Sequence, residues 1–285
     1  MGSVISEMVD LEIRRLIECG WRDFPAQVDG LRIASRMQDS EVSFPHESYD
    51  LDLGNEETSG LWVKWRASQI LRIMKKNSLK VLWEVGSGHG NVAIPLQQED
   101  VGVIGIEPLF NGAAISSKNG VRTYLGTLES LNLPSNSISA IGAFDVLEHI
   151  ETPITLLSEI YRVLKPGGIL LVSVPAHQWL FSDFDKSIGH FRRYSKRVLS
   201  QSIYESGFRE TKTEFMFSAF VLPALILRKV PSLLGRNHNS RDTIKSSKIQ
   251  FKTVNALTPI LMPLLKLERL IRLPFGLSLF SISKK

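Results

Sequence analysis

The chain has 285 residues, enough for one large domain or two small ones, and its 43% hydrophobic and 22% charged content is that of a globular protein, not a disordered one. A formal charge of +5 and a pI near 9.3 admit an acidic partner without requiring one. The single cysteine, Cys19, excludes a disulfide framework, a cysteine-based zinc site and an iron–sulfur cluster, and fits a reducing cytoplasm.

In chain order, residues 4–20 carry Val4, Ile5, Met8, Val9, Leu11, Ile13, Leu16 and Ile17 at helical spacing and stop at Gly20. The start lacks the basic-then-apolar pattern of a signal peptide; residues 1–6 fit the myristoylation pattern, which is short and matches often by chance, so lipidation is not expected. Residues 21–58 are polar, with Pro25, Pro45 and little periodicity. Residues 1–60 therefore read as an N-terminal extension to a domain spanning 61–285. Helical spacing resumes at 61–71 and leads to an apolar run, 81–85, that ends in Gly86-Ser87-Gly88-His89-Gly90-Asn91. A helix-compatible run, 92–98, follows. Strand, glycine turn and helix form the first half of a nucleotide-binding α/β unit, and alternate glycines let a ligand approach the main chain closely. Asn91 stands where a dinucleotide fingerprint needs its third glycine, which opposes a nicotinamide-linked enzyme.

The run 103–107 predicts a second strand ending in Glu107, an acid able to accept hydrogen bonds from both ribose hydroxyls of a nucleoside. A short helix over 111–118 and a third strand over 121–125 come next. A fourth strand, 139–144, runs into Asp145-Val146-Leu147-Glu148-His149, and 164–175 gives a helix end, a turn and a buried fifth strand. Ligands of open α/β sheets collect beyond the carboxyl ends of the strands, where Asp145 and His149 fall. His149 titrates close enough to neutrality to relay a proton; a helix-start histidine bonded only locally is the alternative. Residues 175–195 are denser in His, Asp, Arg and aromatic side chains than a plain connection needs. His177, Asp183, Asp185 and His190 are metal-ligating types, but their spacing matches no recognised site, and no metal is expected. Asp–Arg pairs pinning the loop are the structural alternative.

A helix over 196–206, a sixth strand over 208–215 and an alternating closing strand over 275–285 complete the pattern, with residues 216–274 inserted between the last two. In that insertion 217–227 is almost wholly apolar. Arg228, Lys229, Arg236, Arg241, Lys245, Lys248 and Lys252 then face one acid, Asp242, and 257–273 is apolar but broken by Pro259, Pro263 and Lys266. Two or three short helices over the sheet edge are expected. The first run is too short to span a bilayer core of about 30 Å, and Pro223 should interrupt it. A lid over a bulky acceptor is the first expectation for 216–274, and peripheral membrane contact beside the basic patch the second.

The order Glu84-x-Gly86-x-Gly88-x-Gly90, Glu107, Phe144-Asp145-Val146-Leu147-Glu148-His149 and Leu164-Lys165-Pro166-Gly167-Gly168 resembles the class I S-adenosylmethionine (SAM) methyltransferases, the type 11/23 group among them, over residues 81–175. Asp185-x-x-x-Gly189-His190-x-Arg192-Arg193-Tyr194 resembles a signature of a poorly characterised bacterial subgroup. The resemblance implies an α/β, Rossmann-like, seven-stranded and mostly parallel sheet whose last strand is antiparallel. It implies SAM as cofactor, held by Glu84, Gly86, Ser87, Gly88 and Gly90, with Glu107 on the ribose and Asp145 toward the methionine end. It puts Arg66 on a helix across the cofactor mouth, paired with the cofactor carboxylate; a snorkelling surface arginine is the alternative. Thr127 stands where many members carry an adenine-contacting aspartate and is a weaker acceptor, leaving the Leu128 amide for the ring.

The end of strand four is not the D/N-P-P-Y/F of amino-methylating DNA enzymes, Cys19 lies far from any Pro-Cys position, and no lysine-rich tetrad is visible, so nucleic acid is not expected as a partner. A small-molecule, glycan or lipid-linked acceptor remains, with O-methylation expected before N- or C-methylation. His149, His177 and Asp145 are the catalytic candidates, and the cytoplasm, with or without membrane association, is the expected location. The rival reading is a non-catalytic SAM-binding protein acting as a membrane-surface or partner-binding module.

Overall fold

The computed structural model describes residues 2–26, 30–34, 60–233 and 257–285. Its elements are α1 (Gly2–Glu18), β1 (Arg32–Ile33), α2 (Leu61–Lys76), β2 (Val81–Val85), α3 (Ala93–Gln97), β3 (Gly102–Glu107), α4 (Phe110–Lys118), β4 (Arg122–Leu125) and β5 (Ile138–Phe144). After these come α5 (Pro153–Val163), β6 (Leu164–Pro175), α6 (Asp183–Ser187), α7 (Lys196–Glu205), β7 (Glu210–Met216), α8 (Val221–Ala224), α9 (Val230–Leu233), α10 (Thr258–Ile271) and β8 (Ser278–Lys284). One sheet runs in the order β1-β4-β3-β2-β5-β6-β8-β7. Only β8 is antiparallel to its neighbours. This is the expected Rossmann-like sheet with eight strands in place of seven. The extra one, β1, pairs Arg32 and Ile33 with Tyr124 and Leu125 at the open edge of β4. Two residues carry no periodicity, so only the ladder offered by that edge makes them a strand.

The central strands are buried and largely apolar because both faces of the sheet are covered, with Glu84 and Glu107 as the acids toward their carboxyl ends. Successive side chains of β2 go to opposite faces: Trp83 packs with Val9, Ile13 and Leu16 of α1, while Leu82 packs with Leu61, Trp65, Ile70 and Met74 of α2. The described part of the N-terminal extension is thus built into the core of one face.

The described parts of the insertion, within 217–233 and 257–274, are largely helical, as expected. A 3-10 turn, Ser218–Phe220, leads into α8, a π turn at Leu225–Lys229 and then α9. Pro223 does not interrupt the path, because it lies in the first turn of α8, where a missing N–H forfeits no helical bond. The two helical arms are two-faced. Phe217, Phe220, Ala224 and Leu265 are buried, and Trp62 of α2 meets Phe217 and Phe220 at ring-centroid distances of 3.9 and 4.8 Å. Glu268 accepts from the Ser218 amide at 3.1 Å and its hydroxyl at 3.0 Å, which ties α10 to the start of the insertion. The other face is open: Leu222 is 62% exposed, Ile260 65% and Leu270 75%, with Ile226, Leu227, Leu264, Leu267 and Ile271 beside them. A lid accounts for the inner row alone. Arg236, Arg241, Lys245, Lys248 and Lys252 lie outside the described residues. Among the described residues no helix is long and apolar enough to cross a membrane.

Candidate active site

Strands β3 and β5 flank β2 on opposite sides, which makes the carboxyl end of β2 the switch point of the sheet. The glycine loop leaves β2 there and is latched to β3. The Gly86 and Ser87 amides donate to the Ile106 carbonyl at 2.8 and 3.2 Å, and the Gly88 amide donates to the Glu107 carboxylate at 2.8 Å. Gly86 has φ +69°, and a Cβ there would lie 2.5 Å from the Val146 side chain, so neither the turn nor its packing admits a side chain. Glu107 is buried and accepts a second bond from the Leu109 amide at 3.0 Å. A carboxylate accepts about four hydrogen bonds, so an acid fixed in this way can still take ribose donors. Ser87 turns its hydroxyl down toward Gly105, whose Cβ would meet it at 2.7 Å, so Ser87 serves the loop through its backbone. Gly90 packs against Ser116 and Val121, behind the loop.

Glu84 lies beneath the loop, buried, with Oε2 lacking a hydrogen-bond partner among the described residues. Burial raises its pKa to about 8; Arg66 opposes the rise and Glu107 adds to it. Arg66 reaches from α2 and pairs with Asp145, its guanidinium 5.9 Å from the Phe144 ring centroid. Asp145 has φ +55°; its amide donates to the Ser173 carbonyl at 2.9 Å, and its carboxylate accepts from the Ser173 hydroxyl at 3.2 Å. The two residues expected at the methionine end are therefore joined as one ion pair. Thr127 caps the turn Glu129–Leu131, its hydroxyl accepting from the Ser130 amide at 3.3 Å, while the Leu128 side chain is in the core. The group fits SAM. The orphaned Glu84 oxygen suits a buried cation, and the glycine main chain beside Glu107 suits a nucleoside.

Beyond β5, the signature Asp185 to Tyr194 closes over residues 147–151. The Phe191 amide donates to the Glu148 carbonyl at 2.8 Å, the Tyr194 hydroxyl to the Leu147 carbonyl at 3.0 Å and Arg192 to the Glu151 carbonyl at 2.8 Å. His149 Nδ1 bonds the Gly189 carbonyl at 3.2 Å; a carbonyl only accepts, so Nδ1 carries the proton and Nε2 is the basic atom. Burial, then the neighbouring His190, hold the His149 pKa down to about 4, well below the near-neutral titration expected of it from the sequence. Asp185 anchors the clasp through His190 Nδ1 at 3.0 Å and Arg193 Nε at 2.8 Å. Burial pushes the Asp185 carboxyl up, but His190 and Arg193 outweigh it and hold the pKa below the ordinary range. His177 packs elsewhere, its ring stacked on Phe215 with centroids 5.2 Å apart and tilted against Trp179. Asp183 accepts from Ser232 at 2.7 Å, binding this loop to the insertion, and Lys229 donates to the Phe181 carbonyl at 2.7 Å. Of the sequence-predicted residues, Asp145 and His149 come together at one edge with the glycine loop. Glu148 and His190 are each visible in the sequence, one within the strand-four motif and one among the metal-ligating types of the loop, but their pairing is not, since nothing local in the chain relates them.

A glycine loop latched to the acid that ends β3, at the switch point of such a sheet, is the arrangement of a class I, SAM-dependent type of methyltransferase domain. The family model for the methyltransferase domain matches residues 63–212, just over half of the chain, and the chain belongs to that family. It is 31% identical over 111 residues to a protein of Mycolicibacterium smegmatis described as a probable S-adenosylmethionine-dependent methyltransferase, covering 38% of this chain and 43% of that one. An uncharacterized methyltransferase of Mycobacterium ulcerans is 26% identical over 150 residues, covering 49% and 56%. The chain thus spans about half the length of the curated relatives it matches. The crystal structure of a SAM-dependent methyltransferase from Archaeoglobus fulgidus superposes with a TM-score of 0.51 at 18% identity, covering 77% of this chain and 94% of that one, a likeness of fold alone.

Proposed function

We propose that the protein methylates a hydroxyl of a lipid or lipid-linked acceptor at a membrane surface, with SAM as donor. The observation that carries the reaction is the bond from the Gly88 amide to Glu107, which makes loop and ribose acid one unit beside Asp145 and His149. Held by the glycine loop, Glu107 and the Arg66–Asp145 pair, SAM would supply an electrophilic methyl, the new C–O bond forming as the C–S bond breaks and leaves its electron pair on sulfur. The chain's own work is to hold the two reacting atoms in line and to deal with the hydroxyl proton. His149, neutral at pH 7, offers Nε2 for that proton.

The acceptor class is supported by the open apolar face of α8 and α10. That face borders a groove of about 290 Å³ lined by Phe220, Leu261, Leu264, Leu267, Ile271 and Phe275. The intervening basic run supplies attraction to anionic headgroups, about 1 kcal/mol for each charge near the surface. The bonds from Lys229 and Ser232 to the loop after β6 connect this face to the site. Co-sedimentation with anionic and neutral vesicles at low and high salt tests the setting, and transfer of a trideuterated methyl from labelled SAM into lipid extracts tests the reaction. Retention on anionic vesicles that salt abolishes, with label in the lipid fraction, is expected. No retention at low salt removes the membrane, and SAM binding without turnover on any extract removes the enzyme.

A further inference from the structure

The geometry points to a divalent transition-metal site formed by Glu148, His149 and His190 where the signature loop closes over the end of β5. One ligand atom from each residue lies within 4.8 Å of the others. His190 Nε2 stands 3.9 Å from Glu148 Oε1, and the two imidazoles meet edge to face with centroids 4.7 Å apart. Ligands bonded at about 2.0–2.2 Å to one ion sit roughly 3–3.5 Å from each other, so the side chains need approach by only about an ångström.

Each imidazole is already oriented from behind. Asp185 accepts from His190 Nδ1 at 3.0 Å and is itself held by Arg193 at 2.8 Å and by the Ser182 amide at 2.9 Å. The Gly189 carbonyl accepts from His149 Nδ1 at 3.2 Å. A carboxylate or carbonyl behind the ring is what fixes the tautomer and direction of metal-binding histidines, leaving Nε2 as the ligand atom of each. Glu148 supplies the charge. It has no exposed surface, and neither carboxylate oxygen has a hydrogen-bond partner among the described residues. A buried acid in that state is costly unless a cation meets it. Asp145 adds to the negative field at Glu148, and Arg66 and Arg193 reduce it. Two imidazoles and one carboxylate favour a first-row ion such as Zn²⁺, Co²⁺ or Fe²⁺ over Mg²⁺ or Ca²⁺, and three protein ligands leave positions open for an oxygen donor. On the methyl-transfer reading, on which this role rests, that donor is the acceptor hydroxyl, and with an ion bound His149 Nε2 serves as ligand and the ion, not the imidazole, makes the hydroxyl acidic; the site itself stands without it.

The test is titration of the chelator-stripped full chain with Co²⁺ and then Zn²⁺, without SAM. One equivalent of Co²⁺ giving visible ligand-field absorption, displaced by one equivalent of Zn²⁺, is expected. E148Q and H190A should weaken binding at least tenfold, and D185N, which keeps all three ligands, about 10–100-fold. C19S and D183A should bind as the wild type does. Wild-type protein that takes up no stoichiometric ion overturns the site, whether or not any variant folds. Unchanged affinity in E148Q and H190A, or loss of binding in C19S or D183A, overturns it as well. SAM calorimetry on the same metal-free protein separates the two readings. Lost metal binding with intact SAM affinity removes this inference alone, and intact metal binding with no SAM affinity removes the methyl-transfer reading alone.

Discussion

Glu84→Gln should flatten the pH dependence of stability. Burial holds the Glu84 carboxyl at about 8 against 4.5 for the ordinary group, with Arg66 opposing and Glu107 assisting. Between those values the folded protein keeps a proton that the unfolded chain has lost. More protons bound in the folded state means that stability falls as pH rises through this window and levels off above it. One proton held by the folded chain alone gives a slope of at most about 1.4 kcal/mol per pH unit, and the whole window is worth at most about 5 kcal/mol. Glutamine keeps the shape and has no proton to lose. Denaturant unfolding of both proteins from about pH 5.5 to 8.5 reads the difference. Glu148, also buried and raised, contributes with the same sign in both and cancels. The wild type should lose about 1 kcal/mol per pH unit relative to the variant up to about pH 7.5. A cationic ligand beside Glu84 favours its charged form, so SAM affinity should rise with pH toward 8 in the wild type and not in the variant. Parallel stability profiles would refute the reasoning.

Gly88→Val puts a branched side chain at φ +52° where a ligand meets the backbone, so SAM affinity by calorimetry should fall more than tenfold; undiminished affinity would sink the pocket. Tyr194→Phe removes the bond to the Leu147 carbonyl and should cost about 1 kcal/mol in chemical denaturation, with no loss indicating that the clasp contributes nothing. His149→Ala should lower turnover by about 10²–10⁴ with SAM affinity nearly intact, and His177→Ala by less than tenfold because its ring packs on Phe215. The opposite ranking in single-turnover kinetics would give the proton work to His177.

What the chain determines by itself is local. The turn after β2 needs positive φ at alternate positions, and Gly86, Gly88 and Gly90 announce it. The buried parallel strands need continuous apolar runs, and those at 81–85 and 103–107 are visible without a structure. Acids at strand ends follow from the same register, which is why Glu107 and Asp145 could be named in advance. The folded structure decided the rest, in most cases because the partners are far apart in sequence and no period links them. Two residues of β1 become a strand only against β4. Thr127 is occupied by Ser130, which its hydrogen bonds show and its residue type does not. Pro223 falls in the first turn of a helix, so a residue that should break the run does not. The insertion reads as apolar, but which row is buried depends on Trp62 arriving from α2 beneath Phe217 and Phe220. The density of His, Asp and Arg after β6 signals that the loop matters, while its work depends on distance. Glu148 and His190 become neighbours only because Tyr194 and Phe191 hydrogen-bond the loop onto the end of β5, and that contact exists nowhere but in the folded chain.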